Sequence, residues 1–153
     1  MKTALLLLLL LPTAAEAQEL RFLDPPALPP AKGYTHVVEV PAGYRLAFLS
    51  GQVALDSAGA LRPGADFRAQ ATQVFENLGA GLAAAGADFD DVVKLNFYIL
   101  DARQIPVLRE VRDRYVNLAA PPASTLVQVS RLFRDDILLE VEAIAAVRAE
   151  PAR

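Results

Sequence analysis

Two carboxylates near the end of the chain, Glu140 and Glu142, alternate with apolar residues in a segment that resembles a β-strand. Alternation places both side chains on one face of the strand. A carboxylate on such a face could orient a water molecule or accept its proton, or it could simply be solvated. We expect Glu142 to be a structural salt-bridge or hydrogen-bond partner, with Arg131 or Lys94 as candidates. His36 is the only histidine, and it could take part in catalysis or serve only as a strand residue.

The composition excludes several other kinds of site. The chain has no cysteine, which rules out disulfides, a cysteine nucleophile and a thiolate metal site. One histidine and one methionine also make a transition-metal site a poor expectation. The formal net charge of −3 provides no basic surplus to neutralise phosphates, so we expect no nucleic-acid partner.

The first residues, 1–17, have the pattern of an export signal. Lys2 is followed by the apolar run Ala4–Leu11, and Ala15–Ala17 has the small-x-small form of a cleavage site. The run is too short to span a bilayer, which needs about 20 apolar residues. We therefore expect a periplasmic or secreted protein that begins at Gln18 and has no membrane contact after cleavage.

The remainder divides into a proline-rich extended leader over 18–33, one domain over 34–148 and a short tail over 149–153. Hydrophobic periodicity predicts the order strand, strand, helix, strand, helix, strand, strand in that domain. The predicted elements are His36–Val40, Arg45–Leu55, Asp66–Ala85, Val92–Leu100, Arg103–Leu118, Ser124–Ser130 and Leu138–Val147.

The first two strands are predicted to pair as a hairpin, and the two helices can cover only one face of the sheet. This is an α+β layer pair. Leu139, Val141, Ala143 and Ala145 would face the helices. The opposite face must meet water or another subunit, and a hydrophobic content of 54% favours a subunit interface.

Several short motifs occur in the order and spacing of one known family. Together they resemble the RidA/YjgF family, which contains reactive enamine and imine deaminases, over about Tyr34 to Val147. The motifs are Ser50–Gln52, Gln73–Leu78, Ala83–Gly86 with Asp90–Lys94, and Leu139–Ala145.

The resemblance implies a chorismate-mutase-like fold assembled as a homotrimer, with a central β-barrel and small-molecule clefts between subunits. It implies that Tyr34 is a cleft tyrosine, that the Gly51 backbone contacts the ligand and that Glu140 orients the hydrolytic water. No cofactor is implied, because water is the only co-reactant. Tyr34 could equally be a packing aromatic, and Gly51 could simply allow close backbone approach.

The chain departs from the family pattern at the residue expected to hold the substrate carboxylate. The family has Pro-Ala-Arg-Ser before its fifth strand, whereas this chain has Pro122-Ala123-Ser124-Thr125. Arg109 lies where the family has a cleft asparagine, so it could replace the absent arginine, or it could belong to a charged helix face. Otherwise a neutral or differently charged ligand would suit a pocket containing Ser124 and Thr125 better, and we favour that interpretation.

Two hypotheses of different classes follow. The chain could be an exported imine or enamine deaminase with a non-standard site containing Glu140, Ser124 and Tyr34. Alternatively, it could be a non-catalytic trimeric ligand-binding or stress-related protein with a vestigial cleft.

Overall fold

The computed structural model describes residues 18–62 and 64–149, so the predicted export signal and most of the predicted tail lie outside the described residues. Two short 3₁₀ turns span Phe89–Asp91 and Ala102–Gln104. The strands are β1 (Arg21–Leu23), β2 (Val37–Glu39), β3 (Tyr44–Gln52), β4 (Val92–Ile99), β5 (Ala123–Gln128) and β6 (Leu139–Arg148), and the helices are α1 (Phe67–Ala84) and α2 (Ile105–Arg112).

The main sheet has four strands in the order β3-β6-β4-β5. β6 is antiparallel to both of its neighbours, and β5 runs parallel to β4. The predicted inward residues of β6 are all buried in one core with residues of α1 and α2. The α+β fold is therefore confirmed. On the opposite face of β3, Phe48 is 73% exposed and Leu46 is 49% exposed.

The predicted hairpin between the first two strands is wrong. β2 pairs with β1, which lies in the predicted extended leader, and β3 pairs with β6. The prolines of the leader all follow β1, so Arg21–Leu23 keeps the N–H groups that a ladder needs. The Arg21 guanidinium also bonds Glu39 across the strand pair at 2.7 Å.

The second helix is shorter than predicted and ends at Arg112 rather than Leu118. Beyond it the chain continues in turns, where the Tyr115 N–H donates to the Arg112 carbonyl. The Tyr115 ring stacks on Phe75 of α1 with centroids 5.0 Å apart. Packing of this ring against α1 holds the turn in place, which helical periodicity alone does not reveal.

The first helix begins as predicted, with Asp66 as its cap. The Asp66 carboxylate accepts a hydrogen bond from the Ala69 N–H at 2.8 Å. One turn further on, buried Gln70 donates to the Asp136 carbonyl at 2.8 Å and accepts from the Leu138 N–H at 2.9 Å. Gln70 thus fixes the loop that leads into β6.

Over 18–62 and 64–149, no helix has the length and apolar character needed to cross a membrane.

Candidate functional site

A β-bulge brings Gly51 against Glu140. Leu49 pairs with Ala143 and Gln52 with Val141, so two residues of β3 lie opposite one residue of β6. A Cβ atom placed on Gly51 would lie only 1.8 Å from Oε1 of Glu140. The glycine therefore lets the Glu140 carboxylate lie directly against the β3 backbone.

Glu142 lies on the same face of β6 and forms a separate polar group. Its carboxylate accepts hydrogen bonds from the Tyr98 hydroxyl at 3.1 Å and the Asn96 amide at 3.2 Å. The bond to Glu142 is the main reason that the pKa of Tyr98 is raised. The prediction that Glu142 is a structural hydrogen-bond partner is confirmed, but its partners are Asn96 and Tyr98 rather than Arg131 or Lys94.

Those two cations have other partners. Arg131 bonds Asp135 at 2.9 Å, four residues along the chain. Lys94 donates to the Thr125 hydroxyl at 2.7 Å, and partial burial lowers the pKa of Lys94. Thr125 therefore lies on the outer sheet face with Lys94 and Glu142, and its hydroxyl is already bonded.

A cavity of about 160 Å³ lies on the other side of the sheet, between α2, β5 and the segment before β2. Phe97, Leu108 and Leu126 form its apolar part. Its polar and charged lining is supplied by Lys32, Tyr34, Arg109, Arg112 and Ser124. We call this the α2–β5 cavity.

Arg112 is the least exposed charged residue of this cavity. Its side chain is 10% exposed, and its Nε and Nη2 both donate to Oδ1 of Asp113, at 2.8 and 2.5 Å. Gly33, with φ near +76°, passes so close that a Cβ there would lie 2.6 Å from Arg112 Nη2. The segment before β2 therefore closes over the guanidinium.

The structure divides the predicted site residues into two groups. Tyr34, Arg109 and Ser124 line the α2–β5 cavity. Glu140 alternates with buried core residues of β6 and lies on the outer face with Gly51. The sheet separates the two groups within one chain, so a single chain does not assemble the predicted pocket.

Sequence reasoning missed Arg112 and Lys32 as cavity residues. Arg112 follows Arg109 by three positions, a spacing that places two helical side chains on adjacent parts of one face. That signal was present in the sequence. The position of Lys32 could not be inferred, because it depends on how the leader folds over α2.

Two further features bear on what this chain can bind. A larger cavity of about 330 Å³ lies beside α1 and contains none of the predicted site residues; Asp56, Arg62 and Glu76 are among its lining residues. Among the described residues, no group of three or more acidic or histidine side chains is arranged to hold a metal ion.

Comparisons with known proteins agree with this architecture. Residues 25–147 match the family model described as Endoribonuclease L-PSP. Protein DfrA of Myxococcus xanthus is 44% identical over 112 residues, which are 73% of this chain and 83% of that protein. The mouse 2-iminobutanoate/2-iminopropanoate deaminase is 38% identical over 113 residues, or 73% of this chain and 79% of the relative.

The fold also matches solved structures. A crystal structure of a member of the conserved Rid protein family from Yersinia pestis superposes with a TM-score of 0.73 at 29% identity. The match covers 85% of this chain and 100% of that one. With the family model and the sequence relatives, this shows that the chain belongs to the RidA/YjgF family.

Proposed function

We propose that this protein is a hydrolase that deaminates small imines or enamines. The observation that carries the proposal is the Glu140 carboxylate held against the backbone of Gly51. The family resemblance implies that the Gly51 backbone contacts the ligand and that Glu140 orients the hydrolytic water. The name of the mouse relative supports the same reaction class.

The reaction requires water and no other co-reactant. Glu140 orients a water molecule toward the imine carbon and accepts one of its protons as the new C–O bond forms. The C=N electron pair moves to nitrogen, which takes a proton. In the resulting carbinolamine the hydroxyl proton is transferred to nitrogen, the C–N bond breaks, ammonia leaves and the hydroxyl becomes a carbonyl. Backbone N–H groups beside Gly51 are suited to stabilise developing negative charge.

We also propose that three copies form the working unit. Ser124 and Glu140 lie on opposite faces of the sheet, so a neighbouring subunit must bring the second half of each site. The exposed outer-face residues Leu46 and Phe48 support burial of that face between subunits. Closing three sheets around one axis would make the central barrel expected from the family.

Export to the periplasm or the medium is proposed from the export-signal pattern of residues 1–17. RNA is not the substrate in this proposal, although the family model has an endoribonuclease name. The net charge of −3 supplies no excess of cations for a phosphate backbone.

The test is hydrolysis of a short 2-imino acid, generated in the assay by an amino-acid oxidase, with Glu140→Gln compared against Glu76→Gln. Glu76 is an exposed carboxylate on α1 and controls for loss of charge. We expect the Glu140 variant to lose at least about a hundredfold in turnover, because general base catalysis contributes on that order. Equal turnover in the two folded variants would remove Glu140 from the mechanism.

A second function is favoured by one observation, the presence of Ser124 where the family has arginine. In that case the protein binds a small metabolite without turning it over. Ligand binding by wild-type protein that hydrolyses neither imino acids nor neutral imines would support this second function.

A further inference from the structure

The α2–β5 cavity contains more positive charge than the loss of the family arginine suggests. Three cations, Lys32, Arg109 and Arg112, line it together with the Ser124 hydroxyl. Among the described residues, neither Lys32 nor Arg109 forms an ion pair. Only Arg112 has a carboxylate partner, so the lining has a net positive charge.

Arg112 keeps part of its hydrogen-bonding capacity. A guanidinium has five N–H donors, and Arg112 uses Nε and Nη2 on a single oxygen of Asp113. No hydrogen bond from Nη1 to another described residue is present. In that same part of the chain, no fully buried side-chain nitrogen lacks a partner. Nη1 is therefore not fully buried, and Arg112 is among the residues that line the cavity.

We propose that Arg112, assisted by Arg109, binds the carboxylate of an anionic substrate in the α2–β5 cavity. The inference rests on the proposed function, since the anion is taken to be the substrate's own carboxylate. It replaces our expectation from sequence that the ligand is neutral or differently charged. The anchoring cation has moved from the start of β5 to the end of α2, across the same cavity.

The position of Arg112 suits this role better than that of Arg109. A partly dehydrated guanidinium interacts more strongly with an anion than an exposed one, because less solvent screens the charge. Asp113 and the closely packed Gly33 fix its orientation before a ligand arrives. Arg109 is exposed and contributes mainly by attracting the anion to the cavity mouth.

The competing explanation is that Arg112 only pairs with Asp113 and stabilises the turn after α2. The two explanations differ in one measurable property, which is dependence on the charge of the ligand. An anchoring Arg112 distinguishes a carboxylate from the matching amide, whereas a purely structural Arg112 does not. Pyruvate and pyruvamide are probes of that kind, and pyruvate has the 2-oxo acid form of the proposed product.

The experiment measures equilibrium binding of both probes to the assembled protein by isothermal titration. We expect wild-type protein to bind pyruvate at least about tenfold more tightly than pyruvamide. Hydrogen bonds to a charged group contribute more binding free energy than neutral ones, and the difference corresponds to about this ratio of affinities. Arg112→Gln should weaken pyruvate binding about ten- to a hundredfold and leave pyruvamide binding nearly unchanged. Arg114→Gln, which removes an exposed arginine two residues away, is the matched control and should bind as wild type.

Two further variants keep the test decisive if Arg112→Gln folds poorly. Arg112→Lys keeps the charge but loses the planar fork, and should show an intermediate affinity for pyruvate. Adding Ser124→Arg to Arg112→Gln should restore pyruvate binding, because both positions line one cavity. Wild-type protein that fails to distinguish pyruvate from pyruvamide, or folded Arg112 variants that bind pyruvate normally, would overturn the inference.

The outcome is separable from that of the proposed reaction. Arg112-dependent pyruvate binding without hydrolysis of any imine would keep the anion site and reject the deaminase. Hydrolysis that depends on Glu140 but not on Arg112 would keep the deaminase and reject the anion site.

Discussion

Replacing Gly51 with alanine should displace the Glu140 carboxylate and reduce its activity, although Glu140 itself is not mutated. The new Cβ would lie 1.8 Å from Oε1, 2.7 Å from Cδ and 2.9 Å from Cγ of Glu140. Three successive atoms are too close, so rotation of the carboxylate group alone cannot relieve the overlap. The Gly51 backbone does not have a positive φ, so alanine should cause little strain of its own there.

The size of the effect follows from these contacts. Non-bonded heavy atoms prefer separations of about 3.5 Å, so the Glu140 carboxylate must move by roughly 1.5 Å or more. A misplacement of about 1 Å can reduce a reaction rate about a hundredfold. Glu140 is only half-buried and can turn outward, so the stability loss should be about 1 kcal/mol, the scale of one displaced rotamer.

The assay is a double-mutant cycle with Gly51→Ala and Glu140→Ala, read by denaturant unfolding and by imine hydrolysis. Glu140→Ala removes all three overlapping atoms, so Gly51→Ala should then cause almost no further loss of stability. The two substitutions should couple by about 1 kcal/mol, within the range for residues in contact. Gly79→Ala on α1 is the control and should leave hydrolysis unchanged.

Two results would refute this reasoning. One is a Gly51→Ala stability loss of the same size whether or not Glu140 is present. The other is full hydrolytic activity in the Gly51→Ala single variant, which would mean that the position of Glu140 does not matter.

Three other perturbations have defined outcomes. Gln70→Ala should lower the free energy of unfolding by about 2 kcal/mol, because the Asp136 carbonyl and the Leu138 N–H both lose their side-chain partner. Half-buried Gln73→Ala should change the free energy of unfolding by no more than about 0.5 kcal/mol. Similar urea midpoints for the two variants would contradict this expectation. Glu142→Gln should lower the raised pKa of Tyr98 in a 295 nm titration. The raised pKa stabilises the folded state below about pH 10, and this stabilisation is lost as the pH rises through the pKa of folded Tyr98, so the variant should be less stable than wild type mainly below about pH 10. An unchanged Tyr98 titration would disprove the coupling. Phe48→Glu on the outer sheet face should reduce the light-scattering mass from that of a trimer with circular dichroism retained, whereas an intact trimer would place the interface elsewhere.

Most of the fold could be predicted from the sequence because its signals are local. Alternation in β6, the apolar stripe of α1 and the cap at Asp66 each depend on neighbouring residues, and the structure confirms them. Strand pairing is not local in this way. The pairing of β2 with β1 depends on cross-strand contacts such as Arg21 with Glu39, which no spacing rule reveals.

The candidate site was less predictable for the same reason. The resemblance drew attention to Gly51 and Glu140, and the structure shows them in close approach. Sequence could not show that Ser124 and Glu140 lie on opposite sides of the sheet, because that depends on the register of β5 and β6 against β4. Nor could the sequence show that Arg112, three residues after Arg109, is buried beneath Gly33.

Because Tyr34 lines the α2–β5 cavity, its intrinsic fluorescence can report ligand binding there. The chain has four tyrosines and no tryptophan, so tyrosine emission is not masked by a stronger fluorophore. The Tyr34 ring meets His36 edge-on with centroids 5.2 Å apart, at the margin of the cavity. Occupancy of the cavity should therefore change the intrinsic fluorescence without any attached dye, and Tyr34→Phe identifies the part of the signal that comes from this ring.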